Sequence, residues 1–300
     1  MQTDRGSRMQ LRPQHRPASD QSPPLLDAHL HPAPSFSAAA HGSANLRLFL
    51  NSASPSDWPL ISEAASESAA GAAAAEIVPF FGIHPWAVSS QPVTDAAVQT
   101  AGDNLAEHLL RHRLACIGEA GLDRSPAHIA SFDAQLRLLK MQLALAADTA
   151  RPISLHCVRA WGPLLNLLRR FGTPATSPVA SISASGPPPR FRFMLHAFYG
   201  PAELAAEAVR LGGWISLSEK SFRNPAKSAS VIRAVPADRL LIETDFSASS
   251  SADPAHLQIL ENNYNVVSEI RNTSPERLRT AVWNNGKIFT DGEASRQRET

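Results

Sequence analysis

The chain has 300 residues, 43% of them hydrophobic, and a formal net charge of +1, which is enough length and apolar content for one large core. Four arginines and two aspartates sit in the first 24 residues, so the rest of the chain is slightly acidic, at −1; that excludes the broad cationic face needed to wrap a duplex. No apolar run approaches the roughly 20 residues that cross a bilayer, and neither a membrane nor an obligate protein partner is indicated.

The first 24 residues lack the apolar middle of a secretory signal and are expected to be a disordered tail. Short β-branched or apolar runs then alternate with longer amphipathic stretches, the pattern of repeated βα units. Eight such runs occur, at 25–31, 45–52, 77–84, 114–122, 152–158, 192–198, 213–217 and 239–245. Between them apolar residues recur at three- and four-residue spacing, most clearly over 132–147, 161–170 and 201–211. Eight strand–helix units predict a TIM-type (β/α)₈ barrel, a single domain over 25–291 followed by a flexible C-terminus at 292–300. The connection 32–44 is rich in Pro, Ser, Ala and Gly, so a first helix there should be vestigial. Its counterpart at 172–189 has the composition of a mobile surface loop. Cys116 and Cys157 each fall in an apolar run, which suits buried thiols in a reducing compartment better than a disulfide. A cytoplasmic location is expected, with mitochondrion and nucleus left open.

The chemistry concentrates at the ends of these strands. Asp27-Ala28-His29-Leu30-His31 places two imidazoles two residues apart on a strand, hence on the same side, where one metal ion can take both. Alone, such a pair is as often a polar surface feature. Glu119, His156, His196 and Asp245 then fall at the ends of strands four, five, six and eight, the face where barrel active sites are assembled. An ionisable group inside an apolar run costs several kcal/mol, on the order of a lost ion pair, unless it is paired or metal-bound. Four imidazoles and two carboxylates suit a pair of divalent ions, with Glu119 bridging and Asp245 placed to accept and return a proton. The alternative is a hydrogen-bonded polar plug in the barrel mouth.

Six landmarks occur in order: DAHLH at 27–31, FGIHPW at 81–86, IGEAGLD at 117–123, SLHC at 154–157, LHAFYG at 195–200 and LLIETD at 240–245. In this set the chain resembles the TatD-related metal-dependent deoxyribonucleases of the amidohydrolase-like superfamily, over about 25–289. The resemblance implies metal ligation by His29, His31, Glu119, His156, His196 and Asp245. It also implies Mg²⁺-supported phosphodiester hydrolysis, with Mn²⁺ or Zn²⁺ as other candidates, typically 3′-5′ trimming of single-stranded DNA. Asp245 and Glu119 are the expected catalytic groups.

Beside the ligands, His84 is placed to hydrogen-bond a substrate phosphate or merely to pack a loop. Asp123 and Arg124 follow strand four, Arg159 follows strand five and Lys220 follows strand seven. Asp123 and Arg159 are candidate substrate contacts; for each cation a surface ion pair is the rival reading. Asn284 is expected to cap the last helix. The Ser-Pro pair that usually follows the family's strand-eight motif is replaced here by Phe246-Ser247 and a Ser/Ala-rich stretch, and Arg159 stands one residue later than usual. An amide or ester hydrolase of the same superfamily and a catalytically lapsed interaction scaffold are therefore the competing functions.

Overall fold

A computed structural model describes residues 23–33, 36, 45–71, 75–88, 93–172, 189–247 and 254–292. The expectations for the leader, for most of 32–44, for the 172–189 loop and for the C-terminus beyond 292 lie outside the described residues.

Eight of the strands fall on the eight expected runs: β1 (Leu25–His31), β2 (Leu46–Asn51), β3 (Glu76–Phe81), β4 (Cys116–Asp123), β5 (Ile153–Val158), β6 (Phe193–Leu195), β7 (Trp214–Leu217) and β8 (Leu240–Ile242). A short ninth, β9 (Phe246–Ser247), follows β8 at once. They form one sheet, ordered β8-β7-β6-β5-β4-β3-β2-β1-β9, and every neighbouring pair is parallel. The eighth run, expected at 239–245, ends as a strand at Ile242, and Asp245, with φ +53°, turns the chain into β9. Upstream of this kink β8 pairs with β7, and downstream β9 pairs with β1 through Leu30↔Phe246 and His31↔Ser247. One chain segment thereby touches both edges of the sheet and closes the barrel.

The helices are α1 (Trp58–Ala70), α2 (Asp95–Arg111), α3 (Phe132–Thr149), α4 (Trp161–Gly172), α5 (Ala202–Arg210), α6 (Pro225–Ala234), α7 (Pro254–Arg271) and α8 (Pro275–Asp291). With helices outside and side chains filling the interior, strands such as β2 are buried along their whole length, as parallel sheets require. Phe289 of α8 reaches the ring of Phe80 at 6.4 Å, of Phe49 at 6.1 Å and of Trp214 at 5.4 Å, joining residues of β2, β3 and β7 in one aromatic cluster. The asparagine that matters on α8 is not Asn284, which is exposed in mid-helix. Its neighbour Asn285 is buried and donates to the carbonyls of Ala237 (2.7 Å) and Leu240 (2.8 Å). The helix is capped instead by Ser274, whose side chain accepts from Arg277 N at 3.3 Å. Cys116 is buried and Cys157 half-buried, both free; burial pushes the Cys116 thiol up to about 12.

Two glutamines on α3 hold the strand ends that carry the site. Gln142 accepts from Ile83 N at 2.9 Å and donates to Ile83 O at 3.1 Å, just beyond β3. Gln135, two turns earlier on the same buried face, does the same for Asp123 N and O at the end of β4 (2.7 and 3.1 Å). Buried backbone groups left by the departing chain are thus paired.

Candidate metal centre

The pairing of β4 with β5 is interrupted between Ile117 and Ala120, and irregularities of this kind re-aim a side chain. The residue re-aimed is Glu119. Gly118 and Gly121 flank it with φ +152° and +157°; a Cβ on Gly121 would stand 2.1 Å from the His156 carbonyl oxygen, so only glycine lets β5 come this close.

Glu119 is the hub. Its Oε2 lies 3.2 Å from His29 Nε2 and 3.1 Å from His31 Nε2. Its Oε1 lies 2.6 Å from His196 Nε2, 2.8 Å from His156 Nδ1 and 3.0 Å from His84 Nε2. The two oxygens of one carboxylate therefore face different sets of imidazoles. Asp245 Oδ1 is 3.8 Å from His31 Nε2, and the His29 and His196 rings stack at 3.9 Å. All six expected ligands converge, in overlapping groups whose ligand atoms lie within 4.8 Å of one another: His29 with His196 and Asp245, His29 with His31 and Glu119, and His84 with Glu119 and His156.

Burial alone would raise the Glu119 carboxyl, but the neighbouring imidazoles, His196 foremost, hold it well below the usual range. Burial likewise opposes charge on His196, yet Glu119 beside it carries the imidazole well above its ordinary value. His29 has the opposite balance: burial and the charge on His196 lower it to about 3. Burial would raise Asp245 too, and His196 and His29 bring it down. Despite these short contacts, Glu119 Oε1, His156 Nε2 and His196 Nδ1 are buried without a hydrogen-bond partner. Buried polar atoms rarely go unpaired, and converging imidazoles and carboxylates with unsatisfied atoms fit divalent cations.

Outer groups orient the rings, as at metal sites generally. His31 Nδ1 lies 3.0 Å from Asn51 O, an acceptor only, so Nδ1 carries a proton and Nε2 is the nitrogen that faces Glu119. His29 Nδ1 meets Ser154 Oγ at 3.1 Å. His84 has the reverse tautomer: its Nδ1 accepts from Trp86 N at 3.0 Å, leaving Nε2–H to donate. A ring held this way presents Nε2–H toward Glu119, and burial lowers its basicity.

The expected substrate contacts are placed differently from one another. Asp123 is buried; its Oδ2 accepts from Trp86 Nε1 at 2.6 Å and stands 3.5 Å from His156 Nε2, while Oδ1 accepts from Ser125 N at 2.7 Å. Burial would raise it, but the nearby His156 imidazole and the hydrogen bonds from Ser125 and Trp86 bring it far below the carboxylate range. Arg159 is exposed in a left-handed turn directly after β5, φ +53°. Arg124 covers the Phe132 ring at 5.1 Å, and Lys220 Nζ donates to Asp245 Oδ2.

Two carboxylates escaped the sequence reading although both lie in its motifs. Glu243 is fully buried beside β6: Oε1 accepts from Ala197 N at 2.5 Å and lies 3.5 Å from His196 Nδ1. Asp27 accepts from His29 N (3.2 Å), Thr244 N (2.9 Å), Thr244 Oγ1 (2.5 Å) and His256 Nε2 (2.8 Å), tying β1 to the segment before Asp245. The available signal was position: each stands two residues before an expected ligand in an otherwise apolar run.

A closed parallel barrel with an imidazole-rich, carboxylate-centred cluster at its strand ends defines a metal-dependent hydrolase. The TatD related DNase family model matches residues 26–290, and the chain belongs to that family. It is 23% identical to the Cut9-interacting protein scn1 of Schizosaccharomyces pombe, over 88% of this chain and 98% of that protein. It is 28% identical to human Deoxyribonuclease TATDN3, over 57% and 58% of the two chains, and 32% identical to the 3'-5' ssDNA/RNA exonuclease TatD of Erwinia amylovora, over 55% and 56%. The last two matches span little more than half of either protein. Among solved structures, a TatD homologue from Escherichia coli superposes with TM-score 0.67 at 21% identity, over 89% of this chain and 98% of that one, which supports the fold. No helix among the described residues is long and apolar enough to cross a membrane.

Proposed function

We propose that the protein is a two-metal phosphodiesterase that removes nucleotides from the 3′ ends of single-stranded DNA. The observation that carries this reading is the division of labour on Glu119, whose oxygens face two imidazole groups: His29 and His31 on one side, His156 and His196 on the other. These residues and Asp245 would hold two divalent ions, Mg²⁺ by preference and Mn²⁺ or Zn²⁺ as alternatives. Such ions, when bound, ease deprotonation of a water and screen the phosphate charge. The names of the human and Erwinia relatives, a deoxyribonuclease and an ssDNA/RNA exonuclease, support DNA ends as the substrate.

In this reading Asp245 accepts a proton from the attacking water and returns it to the departing oxygen. Lys220 holds the other oxygen of Asp245 and so fixes the direction of its free lone pairs. His84 donates Nε2–H to a phosphate oxygen, for which its tautomer prepares it. Arg159 has no acidic partner among the described residues and supplies a cation beside the β5 ligand. Asp123 acts at one remove, by orienting His156 and Trp86, rather than by touching substrate.

The test is metal analysis of the purified protein, followed by nucleotide release from end-labelled single-stranded DNA in Mg²⁺, Mn²⁺ or Zn²⁺. The expected result is metal-dependent loss of a 3′ label before a 5′ label. Release from neither end, with stoichiometric metal and hydrolysis of an amide or ester substrate, would overturn the phosphodiesterase assignment.

A further inference from the structure

Trp86 is 59% exposed, although a tryptophan can bury up to roughly 250 Å² of mostly apolar surface. It is also rigid. Its backbone N–H is bonded to His84 Nδ1 and its indole N–H to Asp123 Oδ2. One face of the indole stacks on His128, with ring centroids 5.2 Å apart and planes within 12°. The indole plane stands nearly at right angles to the His84 and His156 rings, with centroids 4.8 and 5.8 Å away. Stacked on His128 and bonded through its N–H to Asp123, the indole is held beside the candidate metal centre while more than half of it stays open to solvent.

Among the described residues no other exposed group offers this. Tyr199, 44% exposed after β6, already has Lys227 Nζ 4.0 Å over its ring. The other large exposed apolar side chains, Leu110, Leu114, Ile129 and Leu257, are aliphatic and have no π-face. An ordered, half-open indole next to a phosphate-processing centre matches the sequence-tolerant platforms on which unpaired bases stack.

We propose that the open face of Trp86 is a nucleobase subsite, stacking a base of the nucleotides that flank the bond to be cut. This rests on the phosphodiesterase reading and narrows it: the substrate carries an unpaired base within one nucleotide of the metal centre. Because the platform is already stacked on His128 and bonded to Asp123, little ordering cost remains on binding. Stacking on one side of the mouth also separates the terminal base from any partner strand, so single strands are preferred to duplex ends.

The test is binding of a fluorescent decathymidylate with phosphorothioate linkages, which resist hydrolysis, in Mg²⁺. It is compared with the same strand lacking bases at its last two 3′ positions. Wild type should bind the complete strand more tightly. Trp86→Ala should weaken binding of the complete strand on the order of 10- to 100-fold and leave the partly abasic strand unchanged. Trp86→Phe, which lacks the indole N–H but keeps an aromatic face, should stay near wild type and so separates stacking from the bond to Asp123. Equal affinity for the two strands in wild type, no affinity for either, or an equal loss in both variants overturns the subsite. Hydrolysis of a small phosphodiester such as methyl p-nitrophenyl phosphate by the same preparation would then leave the phosphodiesterase reading standing, and its absence would remove both.

Discussion

Asp27→Asn probes whether the metal centre depends on a carboxylate that touches no proposed metal ion. Asp27 is fully buried and takes four hydrogen bonds, two on each oxygen. Asparagine retains an acceptor for His29 N and Thr244 N but turns an NH₂ toward Thr244 Oγ1 and His256 Nε2. The threonine hydroxyl can rotate to accept and His256 can change tautomer, so a full charged-group penalty at both contacts is not expected. Two charge-assisted bonds weakened at ~1.5 kcal/mol each give a destabilisation of about 3 kcal/mol. For a domain of this size that corresponds to a fall in Tm of roughly 6 to 12 °C. Because Thr244 precedes Asp245, and Asp245 N donates to His29 O at 2.9 Å, the seam between β1 and β9 should loosen and metal affinity should drop with it. Thermal unfolding with and without added Mn²⁺ reads both effects. A Tm within 2 °C of wild type together with unchanged metal affinity would show that Asp27 is a passive filler of the seam, and the argument would fail.

Further outcomes follow from other sites. Glu119→Gln should lose metal and turnover together, since the amide removes the charge both imidazole sets face, whereas His84→Ala should keep near-normal metal content and lose about 1 to 3 kcal/mol of transition-state stabilisation. A metal-free His84→Ala protein would instead make His84 a ligand. Gly121→Ala drives a Cβ to 2.1 Å from backbone at positive φ and should cost about 3 kcal/mol or more; Gly162→Ala, on helix α4 with nothing within 4 Å of its Cβ, should be neutral or stabilising by under ~1 kcal/mol, and equal melting temperatures would contradict the packing of β4 on β5. His108 and His112 share Ser62 Oγ at 3.2 and 3.1 Å; burial, His112 and Arg111 lower His108, and burial, Arg111 and Arg151 lower His112. Their folded-state values lie below the unfolded one, so the unfolded chain binds more protons and stability is present above about pH 6.5 and lost as pH falls below it. Melting curves at pH 7.5 and 5.5 should show a smaller acid loss in the His108→Gln/His112→Gln double variant than in wild type.

Period and position made much of this protein legible. Apolar runs alternating with helical spacing marked all eight strands, because a parallel sheet buried on both faces must be written in such runs. His29, His31, Glu119, His156, His196 and Asp245 stood out because an ionisable group at the end of a buried strand needs a partner, and their convergence required only that the strands close into one barrel. Tertiary structure alone decided the rest. The division of 240–247 into β8 and β9 depends on both sheet edges meeting one segment, which no local pattern encodes. Asp27 finds His256 across 229 residues and Glu243 finds His196 across 47; side chains so far apart in sequence have no mutual spacing to read. Asn285 and not Asn284 holds strand eight, since one residue turns a helical side chain by about 100° and only the docked helix shows which face is inward. Trp86 is distinguished in the same way: its sequence places it in a loop, but the stack on His128 and the bond to Asp123 exist only once β3, β4 and the turn before α3 are brought side by side.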